Sequence, residues 1–221
     1  MKLKRSLSRS GSLAAIGIAT ALVVAAPAFA QSAITIDFEN TPGYFHAIAD
    51  FYNGGTDSLG RSGVNYGVSF SSAAAGLSND ALGPYYAGAP SAATVLVAFD
   101  SSAVMNVAAG FVDRLSFYYA SDASTLDAVT VWSGPDATGT LLASASLFGN
   151  AGLGCSGPAY CRFDLTSVMF AGTARSVSFG GNAGNVLYDN VSITTVPEPA
   201  TFALFASGLL AVGMLKRRRH G

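Results

Sequence analysis

Residues able to carry chemistry are sparse in this 221-residue sequence, and their scarcity narrows the reactions open to it. Between Gln31 and Val196 stands a single histidine, His46. Any Ser-His-Asp or Cys-His arrangement would have to take it as the base, and no Gly-x-Ser-x-Gly turn accompanies it. Gly149-Asn150-Ala151-Gly152 lacks the lysine and the following helix that a phosphate-binding loop needs. Zinc finds no cluster of histidine and cysteine. Cys155 and Cys161 bracket Ser-Gly-Pro-Ala-Tyr, and two such cysteines in an exported chain favour a loop-stapling disulfide over a redox pair or a metal site. No catalytic residue is assigned, and the chain reads as a non-enzyme.

The acids offer more. The same stretch holds twelve of them against Arg61, Arg114, Arg162 and Arg175 and no lysine, a net charge of −8. A nucleic-acid surface is excluded, because phosphate neutralisation needs clustered lysine or arginine. Two carboxylates facing each other across a cleft would serve a polysaccharide-acting glycoside hydrolase or lyase, the alternative function, but the sequence does not pair them. Calcium also takes carboxylate and carbonyl oxygens. If Val191 and Ile193 face the core, Asp189 shares their parity, and an inward carboxylate needs a cation, an arginine or many N–H donors. Arg114 or Arg175 could supply the ion pair. The loop from Tyr52 to Ser58 offers Asn53 and Asp57 but lacks the ladder of acids of an EF-hand.

Nine tyrosines and Trp132 lie in this stretch as well. Trp132 and Tyr118 fall on outward parity and Tyr85-Tyr86 in an expected loop. Trp132, Tyr118, Tyr85 and Tyr86 are therefore the candidate glycan-stacking residues. A third reading, a protein-interaction module of an envelope assembly, would show a large apolar patch in place of aromatics interleaved with polar groups.

The elements that must position these groups are strands. Ile34, Ile36 and Phe38 share one parity, as do Tyr66, Val68 and Phe70, and Leu115, Phe117 and Tyr119. The same alternation recurs at Val129 and Val131, Val177 and Phe179, and Val191 and Ile193. Thr94 to Phe99 is continuously apolar and suits a strand covered on both faces. Clusters such as Asn53-Gly54-Gly55 and Gly180-Gly181-Asn182 punctuate the pattern. Ten or so short strands without convincing helices predict an all-β antiparallel sandwich, a jelly roll first and an immunoglobulin-like sandwich second. Ala73–Gly76 and Gly83–Ala93 are expected as loops.

Two apolar segments flank this domain of residues 31–195. Lys2, Lys4, Arg5 and Arg9 precede an apolar run from Leu13 to Ala26 and then Pro27-Ala28-Phe29-Ala30. Ala28 and Ala30 fit the small-residue cleavage rule, so residues 1–30 read as a signal peptide handled by the Sec machinery and signal peptidase, with Gln31 as the new N-terminus. At the other end Ala200 to Leu215 carries no charge and is followed by Lys216, Arg217, Arg218 and Arg219. As a transmembrane helix it would run ~24 Å, somewhat short of a ~30 Å hydrocarbon core, with its basic tail held cytoplasmic.

Val196, Pro197, Glu198 and Pro199 stand immediately before that segment. Val-Pro-Glu-Pro, a short apolar helix and an Arg-rich terminus together resemble the PEP-CTERM sorting signal of Gram-negative bacteria, here residues 196–221. The resemblance implies exosortase as the processing partner, an inner-membrane intermediate, and a final place at the cell surface or in an exopolysaccharide-rich biofilm matrix. Each proline fixes φ near −65° and donates no hydrogen bond, which keeps such a motif extended. Tyr52-Asn53-Gly54-Gly55 and Asn65 to Phe70 are similar to segments of exported proteins of this kind. Tyr188-Asp189-Asn190-Val191-Ser192-Ile193 resembles the last strand of jelly-roll carbohydrate-binding modules, and Ile36-Asp37-Phe38-Glu39 their first. That resemblance implies a structural Ca²⁺ held by Glu39 and Asp189, with Asp37 a further ligand, and departs from the pattern at Asn190.

Overall fold

The computed structural model describes residues 32–39, 43–91, 93–196 and 208. The signal-peptide residues with Ala28, Ala30 and Gln31, the motif residues Pro197, Glu198 and Pro199, the apolar segment expected as a transmembrane helix, and the tail Lys216–Arg219 lie outside the described residues. Among the described residues no helix is long and apolar enough to cross a membrane.

Ten strands follow one another: β1 (Ala33–Ile36), β2 (Tyr44–Ala47), β3 (Val68–Phe70), β4 (Ala74–Ser78), β5 (Thr94–Ala98), β6 (Val104–Ser121), β7 (Thr125–Trp132), β8 (Leu141–Leu147), β9 (Asp164–Ser178) and β10 (Val186–Thr195). A 3-10 turn at Gly180–Asn182 precedes β10. Every strand pairing is antiparallel, in the order β2-β4-β5-β10-β6-β9-β7-β8, with β1 beside β10 and β3 beside β6.

The long strands β6 and β9 fold this single ladder into two layers. The first part of β6 pairs β3 and the last part of β9, which continues to β7 and β8. The second part of β6 pairs β10 and the first part of β9, and β10 continues to β1, β5, β4 and β2. Register shifts between Asn106 and Phe111, and between Val112 and Arg114, mark the bend in β6. Such bulges tighten twist and turn a strand from one layer to the next. Gly110 sits there at φ 82°, and a Cβ on it would lie 3.0 Å from the carbonyl oxygen of Ala174. One core fills the space between the layers: Val68 and Phe70, Met105, Leu115 and Phe117, Val129 and Val131, Val177, Tyr188, Val191 and Ile193. The alternating residues of the sequence therefore point inward as their parity requires.

A smaller apolar cluster lies on the opposite face of β4, β5 and β10. Ala75, Leu77, Val95, Val97 and Leu187 are covered there by Tyr86 and partly by Tyr85, Ala89, Tyr160 and Phe163. Strand β5 is consequently buried along its whole length, as its continuous apolar run predicts. The same covering corrects the loop expected at Ala73–Gly76. Ala74 faces the main core and Ala75 the outer cluster, so β4 forms from small residues that show no polar alternation because neither face meets water.

Candidate functional site

Asp189 is completely buried, but not on the face that its parity predicts. Asn190 adopts φ 47°, and the register slips by one residue between Asp189 and Ser192. This bulge reverses the alternation. Val191 and Ile193 turn inward, whereas Asp189 keeps the outward side of Leu187 and lies opposite Tyr118. Ser91 then closes over it. Ser91 donates its backbone N–H to Asp189 Oδ2 (2.9 Å), and its hydroxyl lies 2.6 Å from Oδ1. The N–H of Asn190 donates to Oδ1 at 2.7 Å. Donors within the chain thus meet this carboxylate; of the arginines considered for it, Arg175 donates instead to the carbonyl of Ala108.

Glu39 is held by Ala93 and Thr94. The N–H of Ala93 reaches Oε1 and Oε2 at 2.8 and 3.0 Å, and that of Thr94 reaches Oε1 at 3.1 Å. Asp37 contributes its main-chain carbonyl, 2.9 Å from Ser91 Oγ, while its own carboxylate accepts the N–H of Glu39. Burial, with the nearby charge of Glu39 adding to it, pushes the Asp189 carboxyl up to about 6 against the pull of its hydrogen bonds. The hydroxyl of Tyr86, buried and without a hydrogen-bond partner, feels both charges and is raised by burial first and by Glu39 and Asp189 after it. Among the described residues no three of His, Cys, Asp and Glu converge. Hydrogen bonds through Ser91 link the Asp189 carboxylate to the Asp37 carbonyl, and Ala93 and Thr94 hold Glu39 nearby in sequence; these are oxygens of the hard kind that a divalent cation accepts.

A second feature is an aromatic strip. In β2 the pairing passes from Tyr44 opposite Leu77 to His46 opposite Gly76, leaving Phe45 as an extra residue at φ 50°. A bulky residue rarely adopts that conformation. The bulge brings two sequential rings, which ordinary alternation would send to opposite faces, to centroids 4.2 Å apart. Phe45 continues to Phe99 at 5.2 Å and Tyr44 to Tyr85 at 5.3 Å. Tyr44, Phe45 and Phe99 remain 51%, 38% and 45% exposed. Beside them opens a groove of about 330 Å³, floored by Leu77, Val97 and Leu187 and walled by Pro84, Tyr85 and Tyr160. The Tyr85 hydroxyl donates to Asp80 Oδ1 at 3.1 Å. Loss of solvent, that bond, the Asp80 charge and Tyr44 together push Tyr85 up to about 12. The wall carrying Tyr160 is closed by the Cys155–Cys161 disulfide and joined to Tyr86 by a parallel bridge, with Ala87 N–H donating to the Tyr160 carbonyl at 2.8 Å.

The four aromatic residues expected as stacking platforms are not brought together. Tyr85 is in the strip. Tyr86, only 2% exposed, is packed within the outer apolar cluster and offers no stacking face. Tyr118 is half-buried on β6, and Trp132, half-buried on β7, turns its indole N–H to Thr130 Oγ1 at 2.9 Å. Tyr44, Phe45 and Phe99 were missed. The adjacent pair Tyr44-Phe45 is the only local signal, and it becomes meaningful only with the bulge.

His46 is buried beside an arginine and an aspartate. Arg61 Nη2 approaches His46 Nε2 at 2.7 Å and Asp57 Oδ2 at 2.6 Å, and Asp57 lies 3.7 Å from His46. Nε2 must accept from the guanidinium, so the ring is neutral with its proton on Nδ1. Burial opposes ionisation of Asp57, but the backbone N–H groups of Arg61 and Leu59 and the Arg61 side chain outweigh it and hold the carboxyl below the usual range. The Asp57 of the glycine-rich loop is thus spent on structure. A second opening, about 590 Å³, runs along Ser32–Thr35, Asn65, Tyr66 and Gly67 and is lined by short side chains and backbone.

Among curated proteins no match is found. The chain is distantly similar to the K2 cleaved adhesin domain of Lys-gingipain, at 14% identity over 74% of this chain and 100% of that one, with a TM-score of 0.43. It is similar also to the K1 cleaved adhesin domain of Lys-gingipain from Porphyromonas gingivalis W83, at 15% identity over 75% and 99% with a TM-score of 0.41. For CsCBM6-3 from Clostridium stercorarium in complex with cellobiose the figures are 16% identity, 53% and 87%, and 0.34. At the C-terminus residues 195–219 match the model of the PEP-CTERM protein-sorting motif. The chain therefore ends in a PEP-CTERM sorting signal, and with it is an exported protein.

Proposed function

We propose that this protein is a non-enzymatic, glycan-binding component of the cell surface or extracellular matrix, delivered by exosortase through Val196-Pro197-Glu198-Pro199. The observation that carries glycan binding is the strip Phe99-Phe45-Tyr44-Tyr85, four rings in unbroken contact that stay open to solvent beside hydroxyl and carboxylate groups. Aromatic faces receive the C–H faces of pyranose rings, and the polar groups at one end supply orientation. A monomer has no folding reason to expose such a strip. We read the architecture as a jelly roll in which β6 and β9 serve both layers.

Calcium is the cation that Glu39, Asp189 and the Asp37 carbonyl would take, and it would supply structural rigidity to the backbone at Ser91 and Ala93. A hydrolase or lyase is disfavoured by the sealed position of Asp189. The test is binding of the full-length chain, in a detergent without a sugar headgroup, to a panel of exopolysaccharides with calcium and with chelator. Saturable binding lost in Tyr44→Ala supports the reading, and a folded chain that binds none of them refutes it. Replacing Pro197 and Pro199 by alanine in cells that make exosortase should leave the chain unprocessed, and processing at the wild-type rate would remove exosortase from the proposal.

A further inference from the structure

The charges surrounding the aromatic groove are of one sign. Asp80 accepts the Tyr85 hydroxyl at one end. Glu39 and Asp189 act on Tyr86, which is buried against the floor residues Leu77, Val97 and Leu187, and Asp122 acts on Tyr160 in the wall. No lysine or arginine lines the groove among the described residues. Arg162, two positions from Tyr160, is turned to Asp164 at 3.0 Å, and Arg61, beyond β2, is committed to Asp57. The domain as a whole carries twelve acids against four arginines. A polyanion laid along the strip would meet the Asp80 carboxylate at the end and the field of the acids that act on Tyr86 and Tyr160, with the low-dielectric rings doing little to screen them.

From this we propose, resting on the glycan-binding reading, that the groove selects uncharged hexopyranosyl chains and rejects polyuronates and other polyanionic polysaccharides. The stacked rings take the apolar sugar faces, and Asp80 accepts a sugar hydroxyl. Asp80 Oδ1 already accepts Leu82 N–H at 2.8 Å as well as the Tyr85 hydroxyl, which fixes the carboxylate beside the Tyr85 ring. An N–H or O–H donor on the ligand satisfies it, and a second carboxylate repels it.

The full-length chain in a detergent without a sugar headgroup is titrated with a soluble neutral glucan or mannan and with polygalacturonate, in chelator, at low and physiological salt. The neutral chain should bind saturably with little salt dependence, and Tyr44→Ala should weaken it at least tenfold. Polygalacturonate should not bind at low salt, where repulsion is strongest, and Asp80→Lys should create measurable affinity for it. Wild-type binding of polygalacturonate in chelator, abolished by Tyr44→Ala, overturns the charge selection while leaving glycan binding intact. Binding of neither polymer by a folded chain overturns both. Concentration-dependent self-association that Tyr44→Ala removes also overturns both and assigns the strip to a second copy of the chain.

Discussion

Phe45 stores backbone strain in order to present a ring, and that trade can be measured. At φ 50° a residue with a Cβ is ~1–2 kcal/mol less stable than in its ordinary conformation. Removing the ring forfeits partial burial of a side chain that is 38% exposed, about 1–2 kcal/mol, and contacts with Tyr44 and Phe99 of roughly 0.5–1.5 kcal/mol. Phe45→Gly loses the ring and the strain together, and it should be less stable than the wild type by about 1–2 kcal/mol. Phe45→Ala loses the ring and keeps the strain, so it should be the less stable variant by about 1 kcal/mol. Phe117→Ala, at a fully buried ring of the core, should cost about 3–5 kcal/mol. Urea denaturation followed by circular dichroism gives all three, and glycan binding should vanish in both Phe45 variants. If Phe45→Gly proved no more stable than Phe45→Ala, the left-handed bulge would be wrong. If it cost more than about 3 kcal/mol, the ring would be structural, and the strip would lose its claim to function.

Replacing Cys155 and Cys161 by serine should lower stability by about 2 kcal/mol, since the loop is short, and weaken glycan binding several-fold by freeing the wall that carries Tyr160; unchanged affinity would detach the wall from the site. Asp189 titrates near 6 in the fold and near 3.9 when unfolded, so the folded state binds the extra proton between those values. Stability contributed by this residue should therefore rise as pH falls from 7 to 5, seen as a wild-type Tm that gains on that of Asp189→Asn; a constant difference between the two would refute it. Protonation also resolves the Ser91 hydroxyl, whose single proton cannot serve both Asp189 Oδ1 and the Asp37 carbonyl at once. Arg61→Leu should cost about 3–5 kcal/mol by leaving Asp57 buried and unpaired, a loss measurable by urea denaturation at neutral pH. Because Asp57 titrates below its unfolded value, its contribution should persist above pH 4 and disappear as pH falls through the depressed value.

The antiparallel fold was legible because a strand with one dry face writes its parity directly into the chain. Leu115, Phe117, Val129, Val131, Val177, Val191 and Ile193 all point as the alternation requires. What escaped was set by bulges. Phe45 and Asn190 each insert one residue; Phe45 gives no local sign of it, and Asn190, of a type that tolerates the left-handed conformation, gives only a weak one. One slip put Asp189 on the wrong face of β10, and the other hid the pairing of Tyr44 with Phe45. Strand β4 escaped for another reason. Alanine and glycine that are covered on both sides show neither alternation nor bulk. The sorting signal was fully legible because it is local in sequence and its parts need no partner from elsewhere in the fold.

Strand β10 joins the two ends of this domain mechanically. Its first residues, at Leu187, floor the groove, and its last, Thr195, leads directly to Val196 and the sorting motif. Between them β10 is paired to β6 along one edge and to β5 and then β1 along the other, and Val196 N–H still holds Gly110. Tension drawn between a bound polymer and the chain end therefore runs along about 30 Å of one strand. Loaded in that direction the antiparallel ladders are sheared, so many hydrogen bonds resist at once and none can be peeled open alone. On the proposed function, load from a polymer held at one end of this central strand would pass along it to the sorting signal at the other.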